Sequence, residues 1–209
     1  MQYQITDVYE TRAGISVVLS CDGEDEGEKT LLFKPSLWFE AGLQAGDALD
    51  EEKMEQLSAT AQYCQAIARA EGLLASSDYS RMRLIHRLMR YGFGRPICER
   101  TADYMVEKGY IREEEQTLRI ARFYCKNKHW GRKRIAAELM GRGYCHDAVM
   151  HALDSLSDAD YLASLVQLVE KKYSAPCVDE RERQKRIAAL TRLGFTYGEI
   201  QRALEETGV

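Results

Sequence analysis

The fold is decided by one stretch of the chain, Gly131-Arg132-Lys133-Arg134-Ile135-Ala136-Ala137-Glu138-Leu139-Met140-Gly141-Arg142-Gly143-Tyr144. The spacing predicts a short helix that opens with three basic residues and buries Ile135 and Leu139, which lie one turn apart. We expect the helix to end at Gly143, because a helix end often needs a positive φ that glycine adopts without a Cβ clash.

The same pattern occurs twice more, over residues 81–93 and 183–195. Its glycines, Gly92, Gly143 and Gly194, are 51 residues apart both times. A leucine precedes each glycine by four residues on the predicted buried side, and an aromatic residue follows it. An internal period of this length indicates an array of one repeated supersecondary unit.

Further helices flank each of these stretches. After the third glycine, Thr196-Tyr197-Gly198-Glu199 has the spacing of a capping box, which predicts a new helix start. The sequence therefore predicts three tandem three-helix repeats at residues 57–111, 112–157 and 158–209. The predicted fold class is mainly α, an elongated array that contacts neighbours only and leaves long surfaces open.

Residues 1–56 lack this repeated pattern and are predicted to form a small head that contains β structure. Apolar runs at 14–19 and 29–33 flank a polar turn at 22–27, which predicts a β-hairpin, and residues 2–8 can add a third strand. A lone hairpin is marginal in water, so we expect this head to pack on something else.

The net charge of −4 combines two unlike segments. Residues 1–56 hold 13 acidic and 4 basic residues, a balance of −9, and the rest holds 20 acidic and 25 basic residues, a balance of +5. An acidic head on a mildly basic body is a hint about partners, but it is weaker than the excess of a dedicated nucleic-acid binder.

The sequence offers no arrangement that predicts catalysis. It has no local signature of a catalytic triad, phosphate loop or HExxH motif. Cys125 and His129 lie one helical turn apart, but two ligands do not make a metal site. The six cysteines form no CxxC pair, which favours reduced thiols. With no predicted signal peptide or membrane span, we expect a cytoplasmic monomer without enzyme activity, cofactor, metal, membrane contact or small-molecule substrate.

Basic residues recur at fixed positions before the repeat glycines, and they are the candidate filament- or DNA-binding residues. They form a binding stripe or merely a solvated face, and the spacing does not decide between these. Few aromatic residues lie among them in the sequence, which argues for caution because strand-binding surfaces add stacking platforms. The candidates are Arg81, Arg83, Arg87, Arg132, Lys133, Arg134, Arg183, Lys185 and Arg186.

In order and spacing, these repeats resemble the bacterial RecX family. The resemblance is carried by residues 131–143, by the preceding run Ile120–Tyr124, and by Gly109-Tyr110-Ile111, which resembles the turn that closes the first unit. It covers residues 57–209 well and the head loosely. One departure is that Glu113-Glu114-Glu115 stands where an aspartate is expected.

The resemblance implies a negative modulator of the RecA recombinase in DNA repair and the SOS response. Such a protein binds the RecA–single-stranded DNA filament and limits its ATPase, strand-exchange and coprotease activities. Two alternatives stay open: a helical repeat protein that binds single- or double-stranded DNA directly, and a helical adaptor for another protein partner. Glutamate at both Arg132 and Arg134 is expected to weaken filament inhibition and leave helicity intact.

Overall fold

The computed structural model describes residues 2–21, 27–173 and 175–208. Nearly all of the turn predicted at residues 22–27 lies outside the described residues. The chain forms two compact units. The sheet-bearing unit comprises Met1–Tyr79 and Leu84–Tyr110, and the helical unit comprises Ser80–Arg83 and Ile111–Val209.

The head is a four-stranded antiparallel sheet with the strand order β3-β2-β1-β4. The predicted hairpin is present as β2 and β3, and the predicted third strand is β1, which pairs with β2 and carries an irregularity between Ile5 and Asp7. The two-residue strand β4 carried no strand signal in the sequence. The bounds are β1 Tyr3–Thr11, β2 Gly14–Cys21, β3 Lys29–Phe33 and β4 Ala48–Leu49.

The sheet buries its apolar face against a single long helix, α2, which spans Glu51–Ser76. Val17 and Phe33 of the sheet share one hydrophobic core with Leu57 and Cys64 of this helix. The short helix α1, Pro35–Ala41, adds Trp38 to the same core. Because α2 runs without a break through residue 56, the head and the first helix of the array form one packed body.

The rest of the chain is helical, which confirms the mainly α prediction and the three successive sets of three helices. In the first set α2 is followed by α3 and α4, and in the later sets the middle helices α6 and α9 occupy the place of α3. The bounds are α3 Arg81–Met89, α4 Arg95–Glu107, α5 Glu113–Lys128, α6 Arg132–Gly141, α7 His146–Asp154, α8 Asp158–Lys172, α9 Glu180–Arg192 and α10 Tyr197–Thr207.

Helix starts follow the capping chemistry of the sequence. The predicted capping box at Thr196 and Glu199 is present, with each side chain bonded to the other residue's backbone N–H. Ser157 and Asp160 form a second box at the start of α8. Such reciprocal bonds satisfy N–H groups that the first helical turn leaves without partners.

The described part of the helical unit contains two hydrophobic cores, and the first of them includes Tyr161 of α8 as well as residues of α5, α6 and α7. Ile135, Leu139 and Tyr161 are among the fully buried members of one core, and Leu190 belongs to the other. Burial of these side chains supplies the main stabilising free energy, because isolated helices of 9 to 16 residues are marginal in water. Among the described residues, no helix is both long and apolar enough to cross a bilayer.

Candidate binding surface

Each repeat glycine ends its basic helix in the same way. Gly92, Gly143 and Gly194 have φ values of 91°, 78° and 94°, so all three lie in the left-handed region. Each backbone N–H donates to the carbonyl oxygen three residues earlier, at 2.9 Å in all three cases. Equivalent positions therefore adopt one conformation.

Two of these turns are covered by the first turn of the preceding repeat's basic helix. The Ser80 hydroxyl donates to the Arg142 carbonyl at 2.8 Å, and the Gly131 N–H donates to the Leu193 carbonyl at 2.8 Å. Ser80 and Gly131 are 51 residues apart, as are Arg142 and Leu193. Equivalent positions thus join the helix ends twice, through a side-chain hydroxyl in one case and a backbone N–H in the other. In both cases a carbonyl at a helix end gains a donor.

Because of these contacts, the first turns of α3 and α6 each pack against the glycine turn of the next repeat. A Cβ on Gly143 would lie 3.1 Å from Met82 Cβ, and one on Gly194 would lie 2.4 Å from the Arg134 nitrogen. Gly92 belongs to the first repeat, and a Cβ on it would meet no atom of the described residues within 4 Å. The helix N-terminus of one repeat faces the C-terminus of the next, which aligns their dipoles favourably.

Arg132 is committed to contacts within the fold. Its guanidinium donates to Asp154 at 2.9 Å and to Asp158 at 3.0 Å, and it also donates to the Leu153 carbonyl at 3.2 Å. The same group lies over the Tyr161 ring, 4.9 Å from the centroid. Arg132 therefore ties α6 to the end of α7 and the start of α8, which offsets the unfavourable position of a cation at a helix N-terminus.

Arg134 is held by an aromatic ring. Its guanidinium lies 4.2 Å from the Trp130 centroid and donates to the Arg192 carbonyl at 3.4 Å. Trp130 in turn stacks on Tyr124, with centroids 4.4 Å apart and planes inclined by 22°. The side chain is half-buried and preorganised by these contacts.

Arg186 is buried, with 7% of its surface exposed, although the sequence grouped it with the surface cations. It donates to Glu182 and to the Ala175 carbonyl, and it stacks on Tyr173 at 4.8 Å. Arg186 therefore has a structural role and contributes little to the protein surface.

The remaining candidates divide by exposure. Arg83, Lys133 and Lys185 are exposed, as is Arg183, which donates to Gln201 at 2.9 Å. Arg81 is half-buried, and its backbone N–H donates to Glu113 at 2.7 Å.

Arg87 lies in the sheet-bearing unit and is also half-buried. Its guanidinium lies 5.2 Å from the Tyr91 centroid, and Arg69 lies over the same ring at 3.9 Å.

Aromatic partners are thus present, although the sequence showed few rings among the cations. Trp130 with Arg134 and Tyr91 with Arg87 are pairs only four residues apart, so their closeness in the sequence could have indicated these contacts, although each ring lies just outside a helix. Tyr161 and Tyr173 reach their arginines from another helix, and no local spacing signals such a contact.

The cysteine and histidine one turn apart in α5 serve the fold. Cys125 is buried, and its thiol donates to the Asp160 carbonyl at 3.8 Å. His129 ends α5 at a φ of 51°, and its Nδ1 lies 3.0 Å from the Ser164 hydroxyl. Within the part of the chain that the structure describes, no three His, Cys, Asp or Glu side chains are grouped to hold a metal ion.

A cavity of about 570 Å³ opens in the sheet-bearing unit, lined mainly by apolar residues. Its polar lining includes the ion pair of Lys34 and Glu71, 2.6 Å apart, and the thiol of Cys64. Burial raises the pKa of Cys64, which disfavours the nucleophilic thiolate. This lining therefore carries no activated nucleophile.

Known proteins share this architecture. A family model for the third three-helix domain of RecX matches residues 158–204. The regulatory protein RecX of Herbaspirillum seropedicae is 25% identical over 138 residues, which are 66% of this chain and 88% of that protein. The regulatory protein RecX of Chromohalobacter salexigens is 27% identical over 135 residues, or 63% and 86% of the two chains.

Solved structures agree in fold. The crystal structure of a regulatory protein RecX matches with a TM-score of 0.77 at 16% identity, covering 99% of this chain and 98% of that one. The structure of RecX from Lactobacillus salivarius matches with a TM-score of 0.64 at 18% identity, covering 70% and 97%.

The repeated glycine turns, the anchored basic helices and these likenesses define a protein built from tandem three-helix repeats. In sequence the chain is similar to the regulatory proteins named RecX, and its last repeat matches the third three-helix domain of RecX.

Proposed function

We propose that this protein is a negative modulator of the RecA recombinase. It binds the RecA–single-stranded DNA filament in the cytoplasm and limits ATP hydrolysis, strand exchange and coprotease activity, and so acts in DNA repair and the SOS response. The sequence likeness to proteins named as the regulatory protein RecX is the observation that carries this proposal. Its relatives are named as regulators, which favours a binding role over catalysis.

The exposed cations of the basic helices make the contact. Arg83 and Lys185 stand nine residues before their glycines, so they occupy equivalent positions in the first and third repeats. Arg134 takes that position in the second repeat, and the neighbouring Lys133 is exposed. Cations of this kind attract DNA phosphates or acidic protein surface and speed encounter more than they add affinity.

Arg132 and Arg186 have a different role. Arg132 binds Asp154 of its own repeat and the Tyr161 ring of the next one, and Arg186 binds Glu182 and the Tyr173 ring of its own repeat. Both therefore position the helices that carry the exposed cations. Glutamate at Arg132 would place a carboxylate beside Asp154 and Asp158. The paired replacement of Arg132 and Arg134 would therefore combine a fold defect with any loss of binding.

The proposal is tested with RecA on single-stranded DNA by following ATP hydrolysis. The wild-type chain is expected to slow hydrolysis. Lys133→Glu with Lys185→Glu is expected to raise the half-inhibitory concentration about fivefold, which corresponds to ~1 kcal/mol. Glutamate at position 133 is compatible with a helix N-terminus, so a lost effect would not reflect a lost helix.

Lys53→Glu is the matched control, because Lys53 is an exposed lysine in the first turn of α2, remote in sequence from the basic helices. It should leave inhibition unchanged. Unaltered ATP hydrolysis at stoichiometric wild-type protein would contradict the proposed function. Equal inhibition by the wild type, the double variant and the Lys53→Glu control would mean that Lys133 and Lys185 are solvated surface residues that do not bind the filament.

A further inference from the structure

The solvent-facing side of α5 carries one aromatic side chain among basic side chains. Arg119, Arg122, Phe123 and Lys126 recur at intervals of three and four residues, so they share one side of the helix. The opposite side is buried: the Thr117 hydroxyl donates to the Ala148 carbonyl at 3.1 Å, tying α5 to α7. The ring and the cations therefore face away from the core.

Phe123 is 50% exposed, so its ring is accessible from solvent. Its ring meets Tyr124 edge to face, with centroids 5.8 Å apart. Tyr124 is itself fixed between Trp130, stacked at 4.4 Å, and Arg142, which bonds its hydroxyl. Phe123 thus extends a supported row of rings towards solvent.

Acidic side chains near this face are already engaged. Glu115, one turn before Arg119, lies 3.4 Å from Arg112. Asp160 of α8 feels the charges of Arg122 and Lys126, but its carboxylate accepts the N–H and hydroxyl of Ser157 at 3.0 and 2.7 Å. Three cations against these two engaged carboxylates give the face a positive balance.

We propose that this face of α5 binds single-stranded DNA, with a base stacked on Phe123 and phosphates bound by Arg122 and Lys126. The inference rests on the proposed function and names the filament component that this face contacts. An acidic protein surface would need the cations alone, whereas cations with an exposed ring match the stacking and phosphate contacts of single-strand binding.

The test measures binding of a labelled oligo(dT) by fluorescence anisotropy with the full-length chain. Phe123→Ala is expected to weaken binding about fivefold or more, which is the lower end of the effect of losing one base–aromatic stack. Phe39→Ala is the matched control, because Phe39 is 75% exposed but lies on the acidic head. It should leave binding unchanged.

Two further measurements isolate stacking and charge. An abasic oligonucleotide of equal length should bind wild type and Phe123→Ala equally, because it has no base to stack. Lys126→Gln should reduce the steepness of the log affinity against log salt plot by about 0.7, the contribution of one phosphate on a single strand. Circular dichroism verifies that each variant keeps its helices.

Several results would overturn the inference. These are equal oligo(dT) binding by wild type and Phe123→Ala, affinity that ignores salt, or preferential capture of polyglutamate over oligo(dT). Inhibition of RecA ATPase without DNA binding would reject this face and keep the proposed function. DNA binding that depends on Phe123 without any effect on RecA would support the face and reject the proposed function.

Discussion

Gly131 and Gly194 meet backbone to backbone. A Cβ on Gly131 would lie 2.5 Å from the Gly194 carbonyl carbon, and one on Gly194 would lie 2.4 Å from the Arg134 nitrogen. Real Cβ atoms do not approach backbone this closely, so neither position has room for another residue. The repeat glycine therefore serves two purposes, a positive φ and a close contact with the preceding repeat.

Alanine substitution separates these two purposes. Gly92→Ala is expected to cost about 1–2 kcal/mol through its left-handed conformation alone, since its φ is 91° and the described surroundings are open. Gly194→Ala should cost at least about 1 kcal/mol more, because the backbone near Arg134 must also shift. Urea denaturation measures both, and equal losses would argue against the close contact.

Arg186 is a charged residue at a repeat position that is apolar in the other two units. Its 51-residue equivalents are Leu84 and Ile135, both fully buried. Arg186 is buried at the same position of its repeat, although the sequence analysis assigned it to the candidate binding cations. The structure resolves the conflict by pairing the guanidinium with Glu182 and stacking it on Tyr173.

At the scale of helices, the residue at which a helix begins was easier to predict than the side chains that contact the helix. Thr196 and Glu199 form the predicted capping box because all of its atoms come from four consecutive residues. The contacts of Arg132 with Asp154 and Asp158 could not be predicted in this way, since their partners are 22 and 26 residues away.

The first element-scale prediction concerns the bridge from α6 to α7 and α8. Arg132→Gln is expected to lower the free energy of unfolding by about 1–2 kcal/mol, because charge-assisted bonds are lost at a position partly screened by water. Arg132→Lys should lose less, since it keeps the charge but not the fork of donors. Lys133→Gln, on the adjacent exposed position, is the control and should change stability little.

Chemical denaturation of the three variants measures the differences. Similar stability of Arg132→Gln and Lys133→Gln would mean that the bridge contributes nothing to folding.

The second prediction concerns the start of α8. The Ser157 hydroxyl and backbone N–H hold the pKa of Asp160 below its ordinary value. Because the folded pKa is the lower one, this contribution to stability is complete above the ordinary carboxyl pKa, about 3.9, and is lost as the pH falls through the folded value. The unfolded chain takes up the proton first on acidification.

Ser157→Ala should therefore raise the pKa of Asp160 and flatten the loss of stability at acid pH. NMR titration of the Asp160 carboxyl carbon reports the pKa directly. An unchanged Asp160 titration in Ser157→Ala would show that the capping box does not set the charge of this residue.

At the scale of the molecule, the head and α2 share one core. The Cys64 thiol lies in that core with 4% of its surface exposed, and it accepts the Lys34 N–H at 3.2 Å. Removal of residues 1–56 would cut α2 and expose this side chain. We expect thiol labelling, mapped by mass spectrometry, to modify exposed Cys145 first in the intact chain and to reach Cys64 as quickly in the truncated one.

Buried Cys125 in the helical unit is the control, and it should stay protected in both chains. Continued protection of Cys64 in the truncated chain would show that α2 does not need the head.

The sequence by itself determined the repeat, the helix ends and the helical class, because these depend on residues close together in the chain. Gly92, Gly143 and Gly194 mark their turns without reference to distant partners, and the apolar spacing selects the buried faces. Only the tertiary structure decided which cations stay on the surface. Burial and pairing depend on side chains that other helices bring near, as Tyr173 and Tyr161 are brought to their arginines.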